Sequence, residues 1–239
     1  MALESIGAKS VEDVTGVMVD LGCGTGTSTR RLAAKFREAE TIVGVDLSPY
    51  FIEVGRRLLE LAPSRERNEW VTTIRPDERI ELHWGDAAST SLPDGCADVV
   101  NLGLVLHELP LDAAKQVCRE AWRLLKSDGG QLWITEMDFD SPAFRKQREN
   151  ALLFSLIRST EPFLDEYADG CAELREFLVE TFERVVITAA TGRHYALVAT
   201  KGSASGSGGL GVLEDSRFRE DGTYAVDDTH LKTWESKKE

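Results

Sequence analysis

The chain has 239 residues, 42% of them hydrophobic and 29% charged, the balance of a globular protein with a core of domain size. A formal net charge of −13 argues against a nucleic-acid surface, because neutralising phosphates takes clustered lysines and arginines. No apolar run approaches a bilayer span and no basic-then-apolar leader opens the chain; Cys23, Cys96, Cys118 and Cys171 form no C-x-x-C pair, so reduced thiols, a cytoplasmic location and no membrane partner are expected.

Residues 1–13 form a short polar leader. Val17 to Leu21 is a run of β-formers that breaks at Gly22, Gly24 and Gly26 and resumes with Leu32, Ala33 and Phe36 at helical spacing. That pattern predicts strand, tight turn and helix. Glycines at alternate positions let the backbone bend sharply and let a ligand touch it, and the helix N-terminus behind them favours negative charge. A dinucleotide loop wants G-x-G-x-x-G, but its third glycine would fall on Thr27. No G-K-[ST] follows, which excludes a phosphate-binding P-loop.

Thr41 to Asp46 is a second apolar strand ending in an acid, about twenty residues past the glycine loop. In a doubly wound sheet Asp46 then lies beside the ligand, where a carboxylate can accept two hydrogen bonds from a ribose diol. Ser48-Pro49 opens a helix with Phe51, Val54, Leu58 and Leu61 on one stripe, closed by Pro63, and residues 64–79 read as a polar connection. Ile80 to Trp84 alternates as a third strand that stops at Gly85-Asp86-Ala87, with His83 a packed or surface histidine. After the turn at Leu92 to Gly95 comes a fourth strand, Ala97 to Leu102, and beyond it the segment Gly103 to Pro110, at the end of a central strand where α/β sheets bind ligands. A helix over 111–125, a fifth strand at Gln131 to Glu136, an insertion over 141–169 and a helix over 171–182 follow. Arg184 to Ala189 and Tyr195 to Thr200 form a terminal hairpin, and from Gly202 a glycine-serine run leads into a flexible acidic tail, residues 202–239.

Several motifs recur in a familiar order: D-x-G-C-G-T-G from Asp20 to Gly26, the second-strand acid Asp46, G-D-A at 85–87, A-D-V-V at 97–100, L-L-K-x-x-G-G from Leu124 to Gly130, and the hairpin. With them, residues 14–201 resemble the S-adenosylmethionine-dependent methyltransferases of the Rossmann-like class, types 11, 12 and 25. The resemblance implies an α/β fold: a doubly wound, mostly parallel seven-stranded sheet with an antiparallel last strand and helices on both faces. It implies S-adenosylmethionine as cofactor, held by Asp20, Gly22, Cys23, Gly24, Gly26, Asp46, Leu47, Asp86, Ala87 and Asn101. Asp46 would take the ribose hydroxyls, and Asp86 and Ala87 would flank the adenine. The insertion at 141–169 falls where relatives build the acceptor side. The short leader departs from the many relatives that carry helices ahead of the first strand.

Methyl transfer from a sulfonium is an in-line displacement, so the protein must mainly hold donor and acceptor close, aligned and out of water. If the acceptor loses a proton, a base helps, and His107 is the candidate by position; a loop histidine bonded to backbone or water is the competing reading. The acceptor pocket is expected from His107, Glu136, Asp138, Glu161 and Tyr167, and the acceptor is expected to be a small molecule. The histidines are scattered and no metal site is expected. Two other classes stay in view: a non-catalytic module acting through partner binding, and a nicotinamide dehydrogenase, opposed by Thr27. The oligomeric state is not written in the sequence.

Overall fold

The computed structural model describes residues 2–60, 77–202 and 211–226. Five strands come from the first part of the chain: β1 (Val17–Leu21), β2 (Thr41–Asp46), β3 (Ile80–Trp84), β4 (Ala97–Gly103) and β5 (Gln131–Met137). Between them run α2 (Thr27–Lys35), α3 (Pro49–Glu60) and α4 (Leu111–Leu124), preceded by a short α1 (Ala2–Ser5). The later chain supplies α5 (Pro142–Glu149), α6 (Ala151–Thr160) and α7 (Leu164–Thr181), then β6 (Arg184–Ala189), β7 (His194–Thr200) and β8 (Val212–Asp215).

The sheet order is β3-β2-β1-β4-β5-β7-β6-β8. Strands β1 to β5 pair in parallel, and β7 inserts antiparallel between β5 and β6. The strand order reverses between β1 and β4, and the chain ends that leave β1, β2, β4 and β5 there frame one crevice. Strands β1, β2 and β4 read as continuous apolar runs because both faces are covered. One face carries Val19, Leu21, Val100, Leu102 and Ile134 against α4 and α7; the other carries Met18, Ile42, Val99 and Trp133 against Ala33 and Phe36.

The structure differs from the sequence expectation in four places. The described residues hold eight strands rather than seven, and the eighth lies inside the expected flexible tail. Over 211–226 that segment is docked: β8 pairs in parallel with β6, and Arg217 and Tyr224 are buried. The physical reason is twofold. Strand β6 offers an edge of backbone donors and acceptors, and Arg217 finds three carboxylates. The glycine-serine run from Ser203 onward and the chain beyond Val226 lie outside the described residues, as do Pro63 and most of the 64–79 connection. The leader is also more than a polar lead-in, since Ile6 is buried and the Gln131 side chain bonds both Gly7 O and Lys9 N–H. The insertion holds two helices, α5 and α6, that meet at Asn150, which caps the second, and 164–181 forms one continuous helix across the expected boundary at 169. Among the described residues no helix is long and apolar enough to cross a membrane, and all four cysteines are free.

Candidate active site

The glycine loop is held from beneath by a buried carboxylate. Asp20, 1% exposed at the end of β1, accepts hydrogen bonds from Ser28 Oγ (2.6 Å), Thr29 Oγ1 (2.7 Å) and Asn101 Nδ2 (2.8 Å). Burial raises the Asp20 pKa against the pull of those bonds. Asp20 and Asn101 therefore meet each other inside the sheet and shape the loop from below. Gly24 has a left-handed backbone (φ +56°), and a Cβ built there meets nothing within 4 Å. Its N–H donates to Asp46 Oδ2 (2.8 Å), and Asp46 Oδ1 accepts from Ser48 N–H (2.8 Å), so β2 locks the loop and starts α3 with one side chain. Each oxygen keeps a lone pair for a further donor. Gly22 is left-handed as well, and a Cβ there would strike Val105 at 2.6 Å. Cys23 is buried, and burial pushes its thiol up to about 12, so it packs as a neutral group.

At the ends of β2 and β3, the Leu47 and Trp84 side chains are both exposed, and Trp84 Nε1 donates to Leu47 O (3.0 Å). Asp86 Oδ1 accepts from Ala88 N–H (2.8 Å), which fixes the turn containing Ala87. Trp84 was not singled out by the sequence; its alternating strand position reads as an ordinary surface residue.

The ends of β4 and β5 are built differently. Leu104 is the one non-glycine residue among those described with a left-handed backbone (φ +59°), a conformation that costs about 1–3 kcal/mol and persists where the surroundings enforce it. Nothing in a leucine's sequence context signals this. The chain then makes a 3₁₀ turn, Leu106–Glu108. His107 Nδ1 donates to Glu136 Oε1 (2.7 Å), with the two side chains 4% and 0% exposed. Glu136 also accepts from the N–H groups of Leu106 (2.9 Å) and Met137 (2.8 Å), so the base end of the turn is pinned to β5. Burial works against the imidazolium, yet the bond to Glu136 and the charges of Glu136, Glu161 and Glu108 outweigh it and lift the His107 pKa above the ordinary histidine value.

His107 Nε2 lies 3.8 Å from Glu161 Oε2, too far for a direct hydrogen bond. The fold gathers His107, Glu108 and Glu161 so that one ligand atom from each lies within 4.8 Å of the others. The scattered histidines of the sequence gave no sign of this convergence. Of the other expected pocket residues, Tyr167 is 1% exposed with its hydroxyl bonded to that of Tyr195 (2.8 Å), which places it in the core behind His107. Asp138, also 1% exposed, is taken up by Arg217 and Tyr224. Both support the crevice from within.

The family profile described as a methyltransferase domain matches residues 19–133. An O-methyltransferase of Stereocaulon alpinum is 32% identical over 122 residues, 51% of this chain and 33% of that protein. A demethylmenaquinone methyltransferase of Lactobacillus johnsonii is 32% identical over 111 residues, 46% of this chain and 40% of its own length. The chain thus spans less than half the length of these curated relatives. A solved structure from Burkholderia thailandensis, described as an O-methyltransferase family protein, covers 85% of this chain and 56% of its own at 19% identity and a TM-score of 0.56, a likeness of fold. The glycine loop, the strand order with its antiparallel β7 and the match over 19–133 converge: residues 19–133 match a methyltransferase domain and lie in the Rossmann-like fold of S-adenosylmethionine-dependent methyltransferases.

Proposed function

We propose that this chain transfers a methyl group from S-adenosylmethionine to an oxygen of a small-molecule acceptor, with His107 as general base. The observation that carries the reading is the His107 Nδ1–Glu136 Oε1 bond at the crevice end of β4 and β5. A carboxylate can only accept, so it fixes the proton on Nδ1 and leaves Nε2 as the basic nitrogen. Nε2 faces Glu161 at 3.8 Å, and a hydroxyl close enough to give its proton to Nε2 also lies within reach of that carboxylate.

The residues present fit the cofactor. Gly24 leaves room for direct backbone approach, Asp46 retains acceptor capacity for a ribose diol, and Leu47, Trp84 and the Asp86-Ala87 turn suit an adenine. When bound, the sulfonium supplies an already activated methyl group. The chain's own residues hold the acceptor near it and take up the acceptor's proton at Nε2 of His107. The named O-methyltransferase relative supports an oxygen acceptor, and the demethylmenaquinone in the name of the other relative supports a small-molecule acceptor.

The test is release of S-adenosylhomocysteine from S-adenosylmethionine in the presence of phenols, enols and carboxylic acids. With an accepted substrate, H107Q should lower kcat by about 10²–10⁴, the usual contribution of general-base catalysis, with cofactor affinity by calorimetry little changed. Full turnover in H107Q, or loss of cofactor binding, would defeat the assignment.

A further inference from the structure

Arg217 lies far outside the matched region, yet it is 4% exposed and meets three carboxylates. Nη1 contacts Asp138 Oδ1 (2.8 Å) and Asp140 Oδ2 (3.3 Å), and Nη2 contacts Asp215 Oδ2 (2.7 Å). The Tyr224 hydroxyl donates to the second Asp138 oxygen, Oδ2 (2.7 Å). Both oxygens of a carboxylate that is 1% exposed are therefore satisfied by the segment 211–226. Asp138 in turn organises the loop after β5. Its side chain accepts from Asp140 N–H (3.1 Å), its carbonyl from Ser141 N–H (3.1 Å) and Oγ (2.7 Å), and Ser141 caps α5.

Two short routes lead from this anchor to the catalytic pair. Asp138 follows β5 directly, two positions after Glu136. Across the sheet, Glu136 pairs with Tyr195 on β7. The Arg217 guanidinium sits 6.0 Å from the Tyr195 ring, the Tyr195 hydroxyl bonds that of Tyr167, and the Tyr167 ring stands edge-on to His107 at 6.4 Å. We propose that Arg217 and Tyr224 are positioning residues: docked from outside the matched domain, they hold Glu136 and His107 in the geometry that a base requires. The consequence for turnover rests on the function proposed above, whereas the geometric claim stands apart from it.

The experiment uses the full chain with R217Q, R217K and Y224F. Its first readout needs no acceptor: the His107 Nδ1–H proton, shifted downfield by Glu136, is followed by NMR together with its exchange with water. R217Q should exchange it at least about 10-fold faster, because local opening becomes easier once the anchor is lost, and R217K, which keeps the charge but not the planar fork, should restore only part of the protection. Y224F leaves every charge pair in place and should show a smaller change in the same direction, so it serves if R217Q does not fold. With an accepted substrate, kcat should fall in step while the Kd for S-adenosylmethionine holds. Unaltered protection in folded R217Q and Y224F would overturn the proposal, and so would a parallel loss of cofactor affinity. Full turnover in H107Q would remove the base and leave the NMR result standing, so the two failures are distinguishable.

Discussion

The two sides of the crevice use their carboxylates in opposite ways. On the β1–β2 side, Asp20 and Asp46 accept only from hydroxyl, amide and backbone N–H groups, and their role is to hold a loop in shape. On the β4–β5 side, Glu136 grips a titratable imidazole and Asp138 a guanidinium and a phenol. The first arrangement makes a cradle in which every donor to the two acids is a hydroxyl, an amide or a backbone N–H. The second makes a site that contains a titratable imidazole, its pKa raised, against its burial, by Glu136. One sheet thus carries a hydrogen-bonded loop on one side of the crevice and a titratable pair on the other.

The sharpest way to break this comparison is at the cradle. Valine at Gly24 must adopt a backbone that L-residues avoid, and its side chain projects into the open space that the proposed function gives to the cofactor. G24V should weaken S-adenosylmethionine binding by about 100-fold or more, roughly 3 kcal/mol, while the strained backbone lowers the melting temperature by only several degrees and the chain stays folded. Unchanged affinity by calorimetry would take the glycine loop out of the site. A smaller effect is expected from D46A, which removes the acceptor for Gly24 N–H and, on the function proposed above, the acceptor for a ribose diol. Charge-assisted bonds of this kind contribute about 1.5–3 kcal/mol, so Kd should rise about 10- to 100-fold. A cofactor complex with Asp46 turned to bulk solvent would contradict this.

The titrating side answers to pH. The folded His107 pKa is raised, so its pairing with Glu136 contributes stability that is fully present below the unfolded histidine value, about 6.5. That contribution is lost as pH rises through the higher folded value. Turnover runs the other way, since the base must be neutral: kcat should climb across the same window. Stability and activity should therefore cross, and H107Q should flatten both curves. A kcat that is level from pH 6 to 9 would separate His107 from the proton transfer. The smallest effect belongs to S28A, which leaves Asp20 two of its three donors and should cost about 0.5–1.5 kcal/mol in denaturant unfolding.

The same division explains what could be seen in the sequence. The cradle is written locally: an apolar strand, glycines at 22, 24 and 26, and an acid ending the next strand. Asp20 and Asp46 stand close enough in sequence to the loop they support for spacing to reveal them. The other side is assembled from afar. His107 meets Glu136 and Glu161 across 29 and 54 residues, and Arg217 reaches Asp138 across 79. His107 and Glu136 could be nominated as ends of neighbouring strands, but not their bond. Tyr167 and Asp138 were expected to line the pocket because polar and aromatic groups suit one. In the structure each has a buried partner, Tyr195 or Arg217, which no periodicity announces. The docking of 211–226 was hidden for the same reason: an acidic stretch after a glycine-serine run looks solvated until its arginine is matched to three acids.

Strand β8 has one more effect. Residues Val185, Val186 and Ile187 give β6 a short, strongly β-forming stretch, and without β8 its outer backbone would be free to recruit another molecule's strand. Four residues in parallel register cover it, and the new border is short and bears Glu214 and Asp215, with Glu214 tied back to Arg184. Charge on a brief rim is a poor template for further pairing. The segment that anchors Asp138 thereby also guards the protein against edge-to-edge aggregation.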